Sequence, residues 1–543
     1  MFKANGNHIQ PPLFSPGNVL PEVLRKRLDR HWSTAFYWKV FRHIDERLFQ
    51  GLYSETGRPN FPVNILVGLE LLKELHGLSD EQLYDRYHFD YTYQRAVGVE
   101  SIEEHTFVIR TLYHFRAAVA DYEERTGKNP YLEVFREGRD RIIEELGVKT
   151  SAQRIDSVMI GANIKRMNRL SLFHKVFANV VRELAGKKIP LSEKYTGLLK
   201  DDEDGFCYRL PREKVGETLE MIGNYLRELM LDHASALRGS AAYENAVRLL
   251  GEQAEVEGGR VKPKSPDKIS SGSMQNPSDP DATFRRKRDE EHQGYSTHAA
   301  ETCDPENKLQ VITHIETVRN NVDDADVLAK DLPQLKDETG LEAMIVDGGY
   351  VSSGVREVCD ALNVELVASA IRGTAQPDDA LTSVDFKRDD LGMISFCPAG
   401  HAPVRRSIEA DGTLTAVFAA NTCHACPLRD RCIAHHKKGN GRIRIDIHRQ
   451  WLDERRERMG DESYRRLMGL RPPVESLMEK LKPKYLSGRT QFRGLVRVSS
   501  RMILRGMTVN FRRYYLWLLL FFLKLLDNLA VPENSRLQSL RTA

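Results

Sequence analysis

The sequence predicts an α/β core set among helical segments, on three observations. Between Gly294 and about residue 370, apolar runs short enough for strands alternate with runs patterned for helices. Before residue 125 the apolar residues fall at helical spacing instead. Between these regions, and again after the second, abrupt composition shifts mark insertions. The strand-helix-strand-helix-strand order favours some parallel pairing, because parallel neighbours need a crossover connection.

The bulk properties set limits. A chain of 543 residues has room for roughly three or four domains, each with its own core. With 41% hydrophobic and 29% charged residues it has a globular composition. Its net charge of +3 is too small to imply a nucleic-acid partner, so local charge must carry that argument. The start, MFKANGNHIQPPLF, lacks the apolar core of a signal peptide, and a cytoplasmic protein is expected. The apolar run from Tyr514 to Leu526 is broken by Lys524 and falls short of the ~20 residues a membrane span needs. It reads as a buried helix closing a domain. Seven cysteines, four of them between Cys397 and Cys432, read as reduced thiols rather than a disulfide framework.

Taken in order, NILVGLELLKELHGLSDEQLYDRY predicts one helix ending at Gly77 and a second capped by the Leu-Ser-Asp that follows, with Glu81 behind. HTFVIRTLYHFRAAVADYEER predicts another helix. Such helices serve more often as scaffold than as DNA readers. SAQRIDSVMIGANI is strand-like, and helical patterning resumes from Lys165 to Gly251. Residues 252–292, rich in Gly, Pro, Ser and charge, predict a mobile surface loop. GYSTHAAETC and LQVITHIETV predict a strand pair. A helix at ADVLAKDLPQLKDETG stops at Gly340; AMIVDGGY, GVREVCDALN and VELVASA complete the alternation.

Three carboxylates stand in telling contexts. Asp156 lies inside an apolar strand, and Asp347 directly follows the strand Ala343-Met344-Ile345-Val346. Ligand sites in open α/β sheets gather at the carboxyl ends of strands. Glu475 falls in RPPVESLMEKLK, where Pro472 and Pro473 suit a helix start, and Lys482 returns to nearly the same face. Singly, each acid reads as a cap or a solvated surface group among 77 acidic residues.

As a set, with Arg471 and Lys482 flanking the Glu, they resemble the catalytic pattern of DDE transposases of bacterial insertion sequences. IDSVMIGANIK, DPDATFRRK, HQGYSTHAAET, VDDADVL and VDGGYVS resemble that family's core blocks in order, and RPPVESLMEKLK with RTQFRGLVRVSSRMILRGMTVNFRRY resembles its terminal helices. RPNFPVNILVGLELLKELHGLSDEQL resembles its N-terminal domain, so the likeness runs from about Leu48 to Tyr515. It implies an RNase H-like mixed-sheet core and cleavage and joining of DNA strands at insertion-sequence ends. It also implies two Mg²⁺ (or Mn²⁺) ions, with Asp156 bridging both, Asp347 on one and Glu475 on the other. Carboxylates suit such hard cations, and in-line attack on a phosphodiester needs charge stabilised on both entering and leaving oxygens. The sequence departs from the pattern in two places. Many relatives carry a tyrosine seven residues before the catalytic Glu, where this chain has Met468 and the nearest tyrosine is Tyr464; Gly348 stands where a basic residue is common.

Cys423-x2-Cys426, Cys432 and the upstream Cys397 admit two readings: a structural tetrahedral Zn²⁺ site, or four reduced thiols in a small insert. His401, His424 and His435 are alternative ligands. Relatives have CPxG and Cys-x2-Cys-Pro blocks at this place, and such an insert would lie beside the active site. Residues 480–515 hold ten Lys or Arg and no acid. Arg489, Arg493, Arg497, Arg501 and Arg505 recur every four residues and would form one stripe on a helix, which predicts a DNA-phosphate partner alongside Arg471 and Lys482. Arg285, Arg286, Lys287 and Arg288 form a second basic cluster.

The expected organisation is therefore a helical N-terminal domain with possible DNA-end binding (1–145) and an RNase H-like core (150–160 and 293–372). Between the core segments lies a helical insertion (161–292). A Cys-rich insertion (373–445), C-terminal catalytic helices (446–530) and a tail (531–543) follow. The expected partners are double-stranded DNA, as terminal inverted repeats and target, and further copies of the chain in a homodimer or larger synaptic complex, with no membrane. Two rival readings are an inactive or repurposed DNA-binding protein of the same fold, and a two-metal nuclease without strand transfer.

Overall fold

A computed structural model describes residues 1–6, 19–99, 105–199, 203–287, 289–370, 381–437, 440–483 and 488–530. Arg288 and the tail 531–543 lie outside the described residues. Four helices dominate the N-terminal region: α1 (Val63–His76), α2 (Asp80–Phe89), α3 (Arg110–Thr126) and α4 (Pro130–Leu146). Gly77 ends α1 in the left-handed conformation, φ 66°. Ser79 then caps α2 in a reciprocal box that closes on Gln82, one residue beyond Glu81.

The insertion carries its own core, from α5 (Arg169–Gly186), α6 (Val215–Asp232) and α7 (Ala241–Gln253), around Phe173, Phe177, Leu226 and Leu249. Of residues 252–292, expected as a mobile surface loop, 256–260 and 265–268 are exposed at the surface, while 273–283 are largely packed. A hairpin of Ala254–Glu257 against Arg260–Pro263 opens the segment, and Met274, Asn276 and Asp279 are buried. Polar composition does not prevent this, because its polar groups bond within the fold. Glu252 accepts from the Met274 N–H at 2.7 Å, and Asn276 donates to the Lys165 carbonyl at 3.0 Å.

Six strands make the central sheet: β1 (Ala152–Gly161), β2 (Thr283–Lys287), β3 (Glu290–Thr302), β4 (Ile312–Arg319), β5 (Ala343–Val346) and β6 (Glu365–Ala368). β1 runs antiparallel to β3 and parallel to β5; β3 is antiparallel to β4 and β2, and β5 is parallel to β6. The order β4-β3-β1-β5-β6, three antiparallel strands followed by two parallel ones, is the RNase H-like arrangement. The crossover helices α8 (Asp324–Thr339) and α9 (Ser353–Leu362) share a core with β5 and β6 through Leu328, Leu332, Val355 and Leu366. Where β1 meets the insertion, Gly161 faces Gly294. Gly294 has φ 146°, and a Cβ there would lie 2.2 Å from the Ile160 carbonyl, so only glycine fits.

A second sheet, β7 (Arg405–Ile408), β8 (Leu414–Phe418), β9 (His435–Lys437) and β10 (Asn440–Ile445), builds the Cys-rich insertion around Phe386, Ile394, Phe418 and Ile443. Then come α10 (Ile447–Arg458), α11 (Glu462–Met468), α12 (Val474–Leu481) and the long α13 (Leu495–Ala530). α13 lies across β4 with Gly506 at the crossing, where a Cβ would stand 2.1 Å from Ile315 Cδ1. It also packs on α1 and α4, so Leu66, Leu72, Phe135, Ile315, Leu504 and Phe511 belong to one core. The N-terminal helices are thus continuous with the sheet. The end of α13 outruns that core: Tyr514 is buried, but Leu516, Leu520, Phe521 and Phe522 are exposed, which corrects the expectation of a wholly buried closing helix. Among the described residues no helix is long and apolar enough to cross a membrane.

Candidate active site

The sheet brings the first two acids together. Arg154 of β1 pairs with Ile345 of β5, and two residues further along this parallel register Asp156 comes beside Asp347. Asp347 leaves the strand end and accepts from the Gly349 N–H at 2.7 Å, which fixes its rotamer over the Gly348–Tyr350 turn. The third acid comes from α12, whose start after Pro473 puts Glu475 in the first turn, with α12 packed on β1. Arg471, just before α12, gathers all three. Its Nη2 lies 2.9 Å from Asp156 and 3.5 Å from Asp347, and its Nη1 lies 4.0 Å from Glu475.

The three carboxylates differ in exposure: 14% for Asp156, 36% for Asp347 and 76% for Glu475. Burial pushes the Asp156 carboxyl above the usual range; the Ser157 N–H and Arg471 pull it down, and the Asp347 charge pushes it up again. Such a cluster favours additional positive charge.

Residues that sequence reasoning missed hold this arrangement from beneath. Arg154 pairs with Glu301 of β3 at 2.7 Å and donates to the Leu470 carbonyl at 2.5 Å, directly before Arg471. Glu301, fully buried, also takes Arg513 of α13 at 2.7 Å. His298 Nδ1 meets the Tyr350 hydroxyl at 2.8 Å behind the turn that follows Asp347. The available signal was a charged residue within each of two predicted strands, which demands a partner wherever the strand is buried.

The acids open onto a cavity of about 980 Å³ whose walls include Arg166, Lys287, Lys482 and Arg489. Lys482 caps α12 and reaches Glu479 at 2.8 Å. Arg489 is placed by a short parallel bridge to Gly161, with Thr490 N–H on the Gly161 carbonyl at 2.8 Å. The single arginine stripe does not form. α13 begins only at Leu495, so Arg489 and Arg493 precede the helix; Arg493 is exposed and donates to the Asn163 carbonyl at 3.1 Å. Arg497 is exposed on the first turn. Arg501 and Arg505 are buried against Glu70 and Glu74 of α1, which leaves them no face for DNA. The acids that balance this segment come from the far end of the chain. In the other basic cluster Arg285 is held by Asp324 at 2.9 Å, while Lys287 faces the cavity.

Cys397, Cys423, Cys426 and Cys432 line one small cavity with His401, whereas His424 and His435 are not in its wall. Burial pushes the Cys423 and Cys432 thiols up. Among the described residues, no group of three or more His, Cys, Asp or Glu stands in a metal-holding arrangement. Tyr464 is buried and accepts from the Ala368 N–H at 3.0 Å, in the same small core as Met468.

Residues 396–515 match the family model of a transposase DDE domain, and residues 23–118 match a transposase domain model (DUF772). The first match contains Arg471, Glu475 and the four cysteines, and stops short of Asp156 and Asp347. Among solved structures, the Mos1 transposase paired-end complex with left transposon end is 12% identical, over 53% of this chain and 77% of that one. Its TM-score of 0.11 carries no argument. No curated protein matches the chain. The two family matches bear out the resemblance to DDE transposases.

Proposed function

We propose that the chain is a transposase that cuts and joins DNA strands at the ends of an insertion sequence, with Asp156, Asp347 and Glu475 as the catalytic carboxylates. The observation that carries this reading is the convergence of three acids from distant parts of the chain on Arg471, at the mouth of a basic-walled cavity. The donor chemistry suits Mg²⁺ or Mn²⁺, hard carboxylate oxygens whose charge one arginine only partly offsets, and the ions would have to draw together acids that do not themselves stand in a metal-holding arrangement. When bound, two such ions supply activation of an attacking hydroxyl and stabilisation of the leaving oxygen.

The protein's own groups do the rest. Asp156, the most enclosed of the acids, fixes the centre of the site, and Asp347 is held to its turn by Gly349. Arg471 keeps the carboxylates together before DNA arrives, and its guanidinium fork suits a phosphate. Lys482 and Arg489 would hold the strand along the cavity wall, with Arg493 and Arg497 extending the path outside it. Such contacts set register on the backbone without reading sequence. The duplex would be the element's terminal inverted repeats and then the target, and a homodimer or larger synaptic assembly is needed to pair two ends. Four thiols line the cysteine cavity; a structural Zn²⁺ would have to rearrange them, since they do not stand in a metal-holding arrangement, and otherwise they remain reduced.

The test is Mg²⁺-dependent cleavage and joining of DNA carrying the element's ends, with wild type beside Asp156→Ala, Asp347→Ala and Glu475→Ala. Wild type should cut and join while each variant binds but is inert. Cutting without joined products leaves a nuclease. Binding with no cutting under any divalent ion leaves a DNA-binding protein and overturns the catalytic reading.

A further inference from the structure

Arg505 looks like one more phosphate ligand in the sequence, yet its side chain is only 10% exposed. Its Nε donates to the Lys480 carbonyl at 3.1 Å, its Nη2 donates to the Lys482 carbonyl, and its Nη1 lies 3.5 Å from Glu74 of α1. Lys480 and Lys482 stand at the C-terminal end of α12, where helix carbonyls lack intrahelical partners and the dipole is negative. Glu475 stands at the other end of this same helix, which is only eight residues long. A two-turn helix moves as one piece, so a clamp on its last turn restrains its first.

We propose that Arg505 is a positioning residue. It clamps the C-terminal end of α12 so that Glu475, at the other end of the helix, keeps its place at the cavity. Glu74 anchors the clamp, which makes α1 of the N-terminal region part of the support of the site. The proposal rests on Glu475 acting as a metal-binding carboxylate.

The experiment uses the full chain and the variants Arg505→Met, Arg505→Lys, Glu74→Gln and Glu475→Ala. Bound Mn²⁺ is measured by electron paramagnetic resonance, metal-free DNA binding by fluorescence anisotropy, and cleavage against Mn²⁺ concentration. Arg505→Met should raise half-saturating Mn²⁺ about tenfold, the scale of removing a group that orients a metal ligand, while metal-free DNA binding stays at the wild-type level. Arg505→Lys, able to reach one carbonyl, should recover part of the loss. Glu74→Gln should shift the metal dependence in the same direction by less, and it decides the matter if Arg505→Met does not fold. Wild-type metal dependence in a folded Arg505→Met, or in Glu74→Gln when Arg505→Met is unfolded, overturns the clamp. So does a loss of DNA binding equal to the loss of metal binding, which would return Arg505 to the phosphate contacts. Cleavage surviving in Glu475→Ala would instead sink the catalytic reading beneath it.

Discussion

Replacing Glu70 by glutamine asks whether charge locks the N-terminal helices to α13. Glu70 is fully buried in α1, accepts from Arg116 at 2.7 Å, and is ion-paired with Arg501 of α13. Burial alone would raise its carboxyl, but the two guanidinium groups together outweigh that and hold it below the usual range. A value depressed by folding means the stabilisation is present above the unfolded pKa and is lost as pH falls through the folded one. The amide keeps the shape and leaves two enclosed cations without this counter-charge. Removing one member of a buried pair costs about 3–5 kcal/mol. Arg116 keeps Asp80 at 2.6 Å and Arg501 keeps Glu74 at 3.8 Å, so the lower end, about 3 kcal/mol, applies. In hydrogen exchange that is roughly a hundredfold faster opening of α1, if its amides exchange through separation from α13. Urea unfolding should show the same loss near neutral pH and a smaller one in acid, where Glu70 itself becomes protonated. Adding Arg501→Met should restore part of it, since an unpaired buried charge is removed. A loss below about 1 kcal/mol, or one equally large in acid, refutes the reasoning.

Three further outcomes follow from the site. Asp156→Asn should abolish cleavage yet raise the urea midpoint. Its folded pKa is raised, so the ionised acid is unfavourable above that value, and the gain should vanish below the ordinary carboxylate range; a lower midpoint at neutral pH contradicts this. Arg471→Gln removes a group that favours the ionised form of Asp156, so the acidic edge of Mn²⁺ binding should move to higher pH, and an unmoved edge would separate Arg471 from Asp156 electrostatically. Zinc measured by plasma mass spectrometry should be near one ion per chain and should fall in Cys423→Ser and Cys432→Ser; metal-free wild type with unchanged stability would leave the cluster as reduced thiols.

What the sequence made legible is what local chemistry determines. Asp156 was readable because it interrupts a strand, Asp347 because it follows one, and the end of α8 because Gly340 permits φ 67°. The RNase H-like order needed the resemblance, since alternation gives strands but not which strand pairs with which. The fate of Arg501 and Arg505 was not legible, because their partners Glu70 and Glu74 sit at the opposite end of the chain. Within 252–292, residues 273–283 misled for a related reason: composition reports polarity, whereas packing depends on whether each polar group finds a partner, as Asn276 does on Lys165. Arg154 and Glu301 were each legible as a charge inside a predicted strand, but nothing local identified which partner each takes.

The continuous core that runs from α1 to α13 also has a consequence in time. A ribosome releases the N-terminal helices first, and domains commonly fold in that order during synthesis. Here α1 and α4 cannot complete their core until Val498, Met502 and Phe511 have emerged. Glu475 precedes those residues in the chain, so the last carboxylate is synthesised before the helix that braces its support. A chain cut short before Leu495 therefore leaves Leu66, Leu72 and Phe135 incompletely covered and α12 without its clamp. Broken translation products of this protein should be only partly folded and open to proteases.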